Sequence, residues 1–245
     1  MENRALIEVQ GLVKRFGPKV VLRGLNFSVL PGEFVALLGP NGAGKTTFLR
    51  ILASLSSPSM GVVRVAGYLL PREAAAVRRR LGVVSHLPLL YGDLTAEENL
   101  RFFGKMYGVN PLEERIREVL RQVGLEKRAK DLVRTFSRGM QQRLAIGRAI
   151  LHDPDVLLLD EPHTGLDQDA CEMLDAILRE ESSRGRTIVM TSHDLARVED
   201  LSSRFDVLSR GIICASALKQ DIPQDGLLAF YRHALGNGQV QRGVE

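Results

Sequence analysis

Gly39-Pro40-Asn41-Gly42-Ala43-Gly44-Lys45-Thr46-Thr47 fits the spacing G-x-x-x-x-G-K-[ST]. The apolar run Phe34-Val35-Ala36-Leu37-Leu38 precedes it, and Phe48-Leu49-Arg50-Ile51-Leu52-Ala53 after it reads as a helix. Strand, glycine turn and helix form the context in which such a stretch cradles phosphate. Gly42 and Gly44 let the backbone curl so that N–H groups aim at phosphate oxygens. The helix N-terminus adds partial positive charge. Lys45 is spaced to reach the β- and γ-phosphates, and the Thr46 hydroxyl to ligate Mg²⁺. Gly39, Asn41, Ala43 and Thr47 complete the phosphate-binding loop. A plain glycine-rich turn before a helix is the competing reading, and the flanking strand and helix weigh against it. Alone, the motif implies a nucleoside triphosphate and nothing finer.

The chain has 245 residues, 44% hydrophobic and 25% charged, ordinary for a globular protein and enough for one α/β domain or a core with an inserted lobe. No uninterrupted apolar run approaches the ~20 residues of a membrane span. The start, Met1-Glu2-Asn3-Arg4, lacks the apolar core of a secretion signal, so a cytoplasmic location is expected. Cys171 and Cys214 are far apart without metal-ligand spacing and read as small buried residues. A net charge of +4 permits contact with anionic lipid or nucleic acid but argues for neither. Arg78-Arg79-Arg80 reads as a solvated helix face more readily than as a phosphate or headgroup site.

No repeat or low-complexity tract interrupts the chain. Residues 5–38 read as short strands, with 20–22 and 25–29 as separate segments, punctuated by Gly17-Pro18 and Pro31-Gly32. Residues 62–65 and 81–84 are further strands. From 87 the pattern turns helical. Thr95-Ala96-Glu97-Glu98 is a capping box, Leu100, Phe103 and Tyr107 share a face, and Leu112 to Val123 form a second amphipathic helix ending before Gly124. The α/β alternation resumes with a helix over 141–151, a strand at 156–159, a helix around Met173–Leu178 and a strand at 187–190. Such units imply right-handed crossovers and a parallel sheet. A hairpin over 205–214, a helix over 227–235 and a frayed tail from Gly236 close the chain.

Val156-Leu157-Leu158-Leu159-Asp160-Glu161-Pro162 is a buried strand ending in two carboxylates. At the carboxyl edge of a parallel sheet that end faces the ligand crevice. Asp160 suits Mg²⁺, which takes hard oxygen ligands, and Glu161 suits a base acting on the attacking water. An acidic helix start is the plain alternative. His193, after the strand 187–190, sits at another such edge. There it can hydrogen-bond both the γ-phosphate and Glu161, although a surface histidine at a strand–helix turn is the simpler reading of that residue alone.

Phe136-Ser137-Arg138-Gly139-Met140-Gln141-Gln142-Arg143 lies shortly before that strand. It resembles the signature of ATP-binding cassette (ABC) ATPases, usually Leu-Ser-Gly-Gly-Gln followed by Gln-Arg. The resemblance runs over roughly residues 5–220. Phe16 matches the aromatic that stacks on adenine, Gly165-Leu166-Asp167 the D-loop and His193 the switch histidine. The fold class this implies is α/β: a P-loop NTPase core with a parallel sheet, an N-terminal antiparallel β subdomain and an inserted α-helical lobe. A single ABC ATPase domain spans 1–245, with the core over 1–86 and 138–220, the lobe over 87–137, and a terminal helix and tail over 221–245. The resemblance further implies ATP and Mg²⁺ as cofactors and a head-to-tail homodimer. Ser137 and the Gly139 N–H of one copy contact the γ-phosphate held by the other. It implies membrane-spanning permease subunits as partners, a peripheral location on the inner face of the cell membrane, and no nucleic acid.

Two departures stand out. His86 occupies the place of the family's Q-loop glutamine. Imidazole is a poorer Mg²⁺ partner than an amide oxygen, so His86 is expected to couple the lobe to the site with a pH dependence that glutamine lacks. In the signature, Arg138 and Met140 replace Gly and Gln, while Ser137 and Gly139 remain. Arg138 adds charge near the γ-phosphate or points out to solvent. Among family members, His86 and the stretch Leu94-Thr95-Ala96-Glu97-Glu98-Asn99-Leu100-Arg101-Phe102-Phe103 resemble the haem-exporter ATPase of cytochrome c maturation. Exporters of drugs, lipids or polysaccharides share similar text. A soluble ABC ATPase of DNA repair or translation is the alternative, and a non-hydrolysing P-loop protein a third.

Overall fold

Two long strands, β1 (Ile7–Phe16) and β2 (Lys19–Val29), pair antiparallel across the Gly17-Pro18 turn. The computed structural model describes residues 4–85 and 87–240. β2 joins the two segments that the sequence pattern separates at Arg23-Gly24. The register passes from Leu12↔Leu25 to Val13↔Arg23, so Gly24 is the extra residue of a bulge and its φ of 77° suits glycine. The strand therefore bends there without ending.

Next come β3 (Phe34–Leu38), α1 (Lys45–Leu52), β4 (Met60–Val65), β5 (Tyr68–Leu70), α2 (Ala74–Arg79) and β6 (Leu81–Val84). The Arg78–Arg80 run closes α2 and is exposed; Arg78 reaches the Ser54 hydroxyl at 3.1 Å and Arg80 pairs with Asp155 at 3.0 Å. Two helices follow, α3 (Ala96–Tyr107) and α4 (Leu112–Gln122). The expected capping box starts α3, with Glu98 N–H donating to Thr95 Oγ1 at 3.2 Å and Thr95 N–H to Glu98 Oε2 at 2.8 Å. Then come α5 (Arg138–Ile150), β7 (Val156–Asp160), α6 (Gln168–Ser183), β8 (Thr187–Thr191), α7 (Leu195–Leu201), β9 (Arg204–Ser209), β10 (Ile212–Leu218) and α8 (Gly226–Val240). α5 begins three residues earlier than the apolar pattern suggests, because Ser137 caps it. α8 continues through Gly236 to 240 where the composition suggests fraying; a glycine inside a helix costs only about 1 kcal/mol.

The strands form two sheets. One is antiparallel in the order β2-β1-β4-β5, and the other runs β10-β9-β3-β8-β7-β6. From β9 to β6 all neighbours in the second sheet are parallel, with β10 as an antiparallel edge. β3, β7 and β8 are buried at every residue, as expected of parallel strands covered on both faces. One core, with Phe48, Leu52, Val63 and Leu158, lies between the two sheets around α1. The other, with Leu100, Val119, Leu144 and Leu178, joins the opposite face to α3–α6. Each fully buried leucine contributes about 1.5–3 kcal/mol.

α3 packs on α4 and both pack on α5. At one edge of this junction the His152 ring stacks on Tyr107, centroids 3.8 Å apart and planes 4° apart. Burial pushes the imidazole down to about 4 against a smaller upward pull from the Leu81 backbone. A base with a depressed folded-state value takes its proton more readily when unfolded. The stability it confers is full above the unfolded value near 6.5 and drains away as pH falls towards 4. At pH 5 this single group is expected to have cost about 2 kcal/mol. Urea denaturation at pH 7.5 and pH 5 should show that difference between wild type and His152→Phe, which keeps the stack but cannot titrate. Equal acid losses in the two proteins would refute the linkage.

Candidate functional site

The carboxyl ends of β3, β7 and β8 lie side by side and deliver the candidate residues to one edge. After β3 the chain turns through residues 39–44 into α1. Gly39 has φ 151°, and a Cβ there would lie 2.1 Å from the Leu208 carbonyl oxygen, so only glycine fits. Gly44 caps α1 at φ 113°, with Leu22 Cδ2 2.8 Å from where its Cβ would stand. The loop and α1 open onto a cleft of about 820 Å³. Asn41, Gly42, Ala43, Gly44, Lys45, Thr46 and Thr47 all line it, with Glu161 opposite.

Lys45 is buried, and its ammonium donates to the Gly39 carbonyl at 2.6 Å with Glu161 Oε1 at 3.9 Å. Burial pushes its pKa down, while Glu161 and then Asp160 pull it back up. The lysine is thus held by short contacts at the mouth of the loop, where an anion can replace Glu161 as its partner. The Thr46 hydroxyl donates to Asp160 Oδ1 at 3.2 Å, and the Thr191 hydroxyl to the same oxygen at 2.8 Å. Thr46 and Asp160 are hard oxygen donors brought together at a helix N-terminus, a set that suits Mg²⁺. Among the described residues there is no cluster of three or more His, Cys, Asp or Glu side chains that would hold a metal alone.

Glu161 follows β7 with φ 50°, an uncommon conformation for a residue with a Cβ. Its N–H is held by the Thr191 hydroxyl at 2.9 Å and the Thr191 carbonyl at 3.2 Å, which keeps the turn in place. His193 Nδ1 lies 2.8 Å from Glu161 Oε2. An ionised carboxylate only accepts, so Nδ1 carries the proton, leaving Nε2 for a second partner. Lys45, Thr46, Asp160, Glu161 and His193 therefore converge.

Ser137 and Gly139 do not enter this cleft. Ser137 caps α5, its Oγ accepting from Met140 N–H at 3.3 Å, and Gly139 packs against Ala170. Neighbouring Arg138, Gln141 and Gln142 line a second cleft of about 380 Å³ that, among the described residues, shares Glu161 alone with the first. Arg138 is exposed and lays its guanidinium over Gly165, 2.7 Å from where a Cβ would stand. Asp167 caps α6, accepting from Ala170 N–H at 2.8 Å. Phe16 ends β1, about half exposed, with Lys14 Nζ 4.8 Å above its ring. It is not among the cleft-lining residues, though its register partner Lys19 is. His86 lies outside the described residues.

Sequence reasoning missed Thr191, which holds both Asp160 and the Glu161 backbone; its only signal is its place at the end of an apolar strand. It also missed Lys19, Arg23 and Arg210 along the cleft wall, which come from two hairpins distant in sequence.

Comparison with known proteins gives the family. The family described as ABC transporter matches residues 22–164. The linearmycin resistance ATP-binding protein LnrL of Bacillus subtilis is 38% identical over 219 residues, 89% of this chain and 70% of that protein. The Nod factor export ATP-binding protein I of Paraburkholderia xenovorans is 42% identical over 209 residues, covering 84% of this chain and 69% of the relative. Among solved structures, the ATP-binding subunit of an ABC transporter superposes with a TM-score of 0.86 at 33% identity, over 94% of this chain and 99% of that one. A dimeric post-hydrolysis ATP-binding cassette bound to ADP and Pi gives 0.79 at 27% identity, over 87% and 98%. The chain belongs to the ABC transporter family, as an ATP-binding subunit with ATPase chemistry.

Proposed function

We propose that the chain is the motor of an exporter: two copies close head-to-tail on two Mg²⁺-ATP and pass the motion to membrane-spanning subunits. The observation that carries this is the split of the machinery. Lys45, Thr46 and Glu161 line one cleft, with Asp160 bonded to Thr46 and His193 to Glu161, while the Ser137–Gly139 segment opens elsewhere and needs a second copy to meet a nucleotide. In this reading Lys45 and the loop N–H groups hold phosphate, Thr46 and Asp160 hold Mg²⁺, and Glu161 orients or deprotonates water. His193 stabilises the developing charge, and Phe16 stacks on adenine. Mg²⁺ supplies charge neutralisation on the phosphates.

An exposed apolar patch supports a permease partner. Leu87, Leu89, Tyr91, Phe102 and Met106 are all exposed around the start and outer face of α3, Met106 by 70%. Tyr91 and Phe102 touch edge to face at 5.1 Å, and in this reading the exposed apolar side chains of this region form the surface that meets the partner. We assign residues 87–137 as the lobe that carries it, and residues 1–86 and 138–220 as the core. Among the described residues no helix is long and apolar enough to cross a membrane, so attachment at the inner face runs through the partner. Export follows the relatives' names, one for linearmycin resistance and one for Nod factor export. Those names lend the narrower haem-export expectation no support.

The test is a pull-down of tagged chain from mild-detergent membranes of its own source. A membrane-spanning subunit as the main companion is the expected result, and haem-handling companions would restore the haem reading. Ribosomes or DNA-repair proteins in its place would overturn the transporter reading.

A further inference from the structure

Beside the catalytic turn, and outside both clefts, lies a buried triad that none of the motifs contains. His163 Nε2 lies 2.8 Å from Asp175 Oδ1 in α6, and the other Asp175 oxygen takes Arg197 Nη1 from α7. The side chains are 9%, 7% and 15% exposed. Arg197 also reaches Gln168 Oε1 at 3.4 Å, and Asp194 Oδ2 lies 3.5 Å from its Nε. Asp175 accepts at both oxygens, so Nε2 carries the His163 proton; Nδ1 is buried without a hydrogen-bond partner. Burial alone would raise the Asp175 carboxyl, but His163 and then Arg197 hold it below the usual range.

The triad connects three pieces of chain that matter for turnover. His163 stands two residues after Glu161, in a turn closed by Thr164 N–H to the Glu161 carbonyl at 3.2 Å and Leu166 N–H to the His163 carbonyl at 3.2 Å. The same turn runs on to the α6 cap, Asp167. Arg197 lies in the first turn of α7, which Asp194 caps directly after His193. Neither His163, Asp175 nor Arg197 lines the nucleotide cleft.

We propose that His163 is a positioning residue: through Asp175 and Arg197 it locks the Glu161 turn to the helix that presents His193, and so holds the 2.8 Å Glu161–His193 contact. The proposal rests on the reading of Glu161 and His193 as the catalytic pair. Glu161 at positive φ needs its turn braced from outside, and the carboxylate–histidine distance is sensitive to any shear of α7 against that turn. His163→Leu removes the donor but leaves Asp175 paired with Arg197, so the fold keeps its buried carboxylate satisfied.

The experiment measures kcat and KM for ATP, with thermal midpoints, on the purified full chain and on His163→Leu, His163→Gln, Asp175→Asn and Glu161→Gln. His163→Leu and Asp175→Asn are expected to lower kcat about tenfold with KM little changed. His163→Gln, whose amide can donate to Asp175, should restore most of the rate. Wild-type kcat in both His163→Leu and Asp175→Asn, with Glu161→Gln inactive, overturns the proposal alone. So does a loss that tracks the thermal midpoint and that Gln fails to rescue. Wild-type turnover in Glu161→Gln overturns the reading beneath it.

Discussion

Glu161→Gln is expected to bind ATP and to turn it over on the order of 10²–10⁴-fold more slowly. The amide has the shape of the carboxylate and still accepts from His193 Nδ1, now 2.8 Å away, so the turn and His193 keep their places. What disappears is the group that can take a proton from water. It also removes the negative charge 3.9 Å from Lys45 Nζ, freeing the ammonium for a phosphate. Affinity for ATP should hold or rise, and two copies of the variant should stay closed on ATP in size-exclusion chromatography. Single-turnover assays with equilibrium ATP binding check both halves. Turnover within a few-fold of wild type would remove Glu161 from the chemistry, and failure of ATP to dimerise the variant would count against a competent Ser137–Gly139 segment.

Lys45→Ala is expected to lose binding itself. A charge-assisted hydrogen bond to phosphate contributes about 1.5–3 kcal/mol, roughly a 10- to 150-fold change in Kd. The lysine is buried and already partly desolvated, so little of that gain goes to stripping water from it on binding. Lys45→Arg should not rescue. The Nζ sits 2.6 Å from the Gly39 carbonyl, in a loop that cannot widen because Gly39 itself is pressed against Leu208. Titration with a fluorescent ATP analogue checks this, and an unchanged Kd for Lys45→Ala would sink the assignment.

Much of this molecule is legible one stretch at a time. Residues 34–53 read as strand, loop and helix because burial on both faces of β3 demands a continuous apolar run, and a tight phosphate loop demands glycine at fixed intervals. Asp160-Glu161 reads from the same logic at the end of β7. Short elements escape this reading. β5 and α2 have three and six residues and pack against larger neighbours. Their formation is settled by those neighbours rather than by any periodicity of their own. β2 escapes in another way, since a bulge at Gly24 looks like an ending when only one strand of the pair is in view.

The sequence by itself determined the family and the α/β alternation, and it singled out Lys45, Thr46, Asp160, Glu161 and His193 as candidates, because phosphate and carboxylate chemistry requires particular residue types at the ends of particular strands. Only the tertiary structure decided how they meet. The parallel order β3-β8-β7 sets three strand ends side by side, so that Thr191 can hold both Asp160 and the Glu161 backbone. Tertiary packing also turned Arg138 onto Gly165 and joined Asp175 to His163 across 12 positions of chain and to Arg197 across 22. Contacts of this kind depend on which surfaces the sheet brings within reach, and local residue spacing carries no record of that.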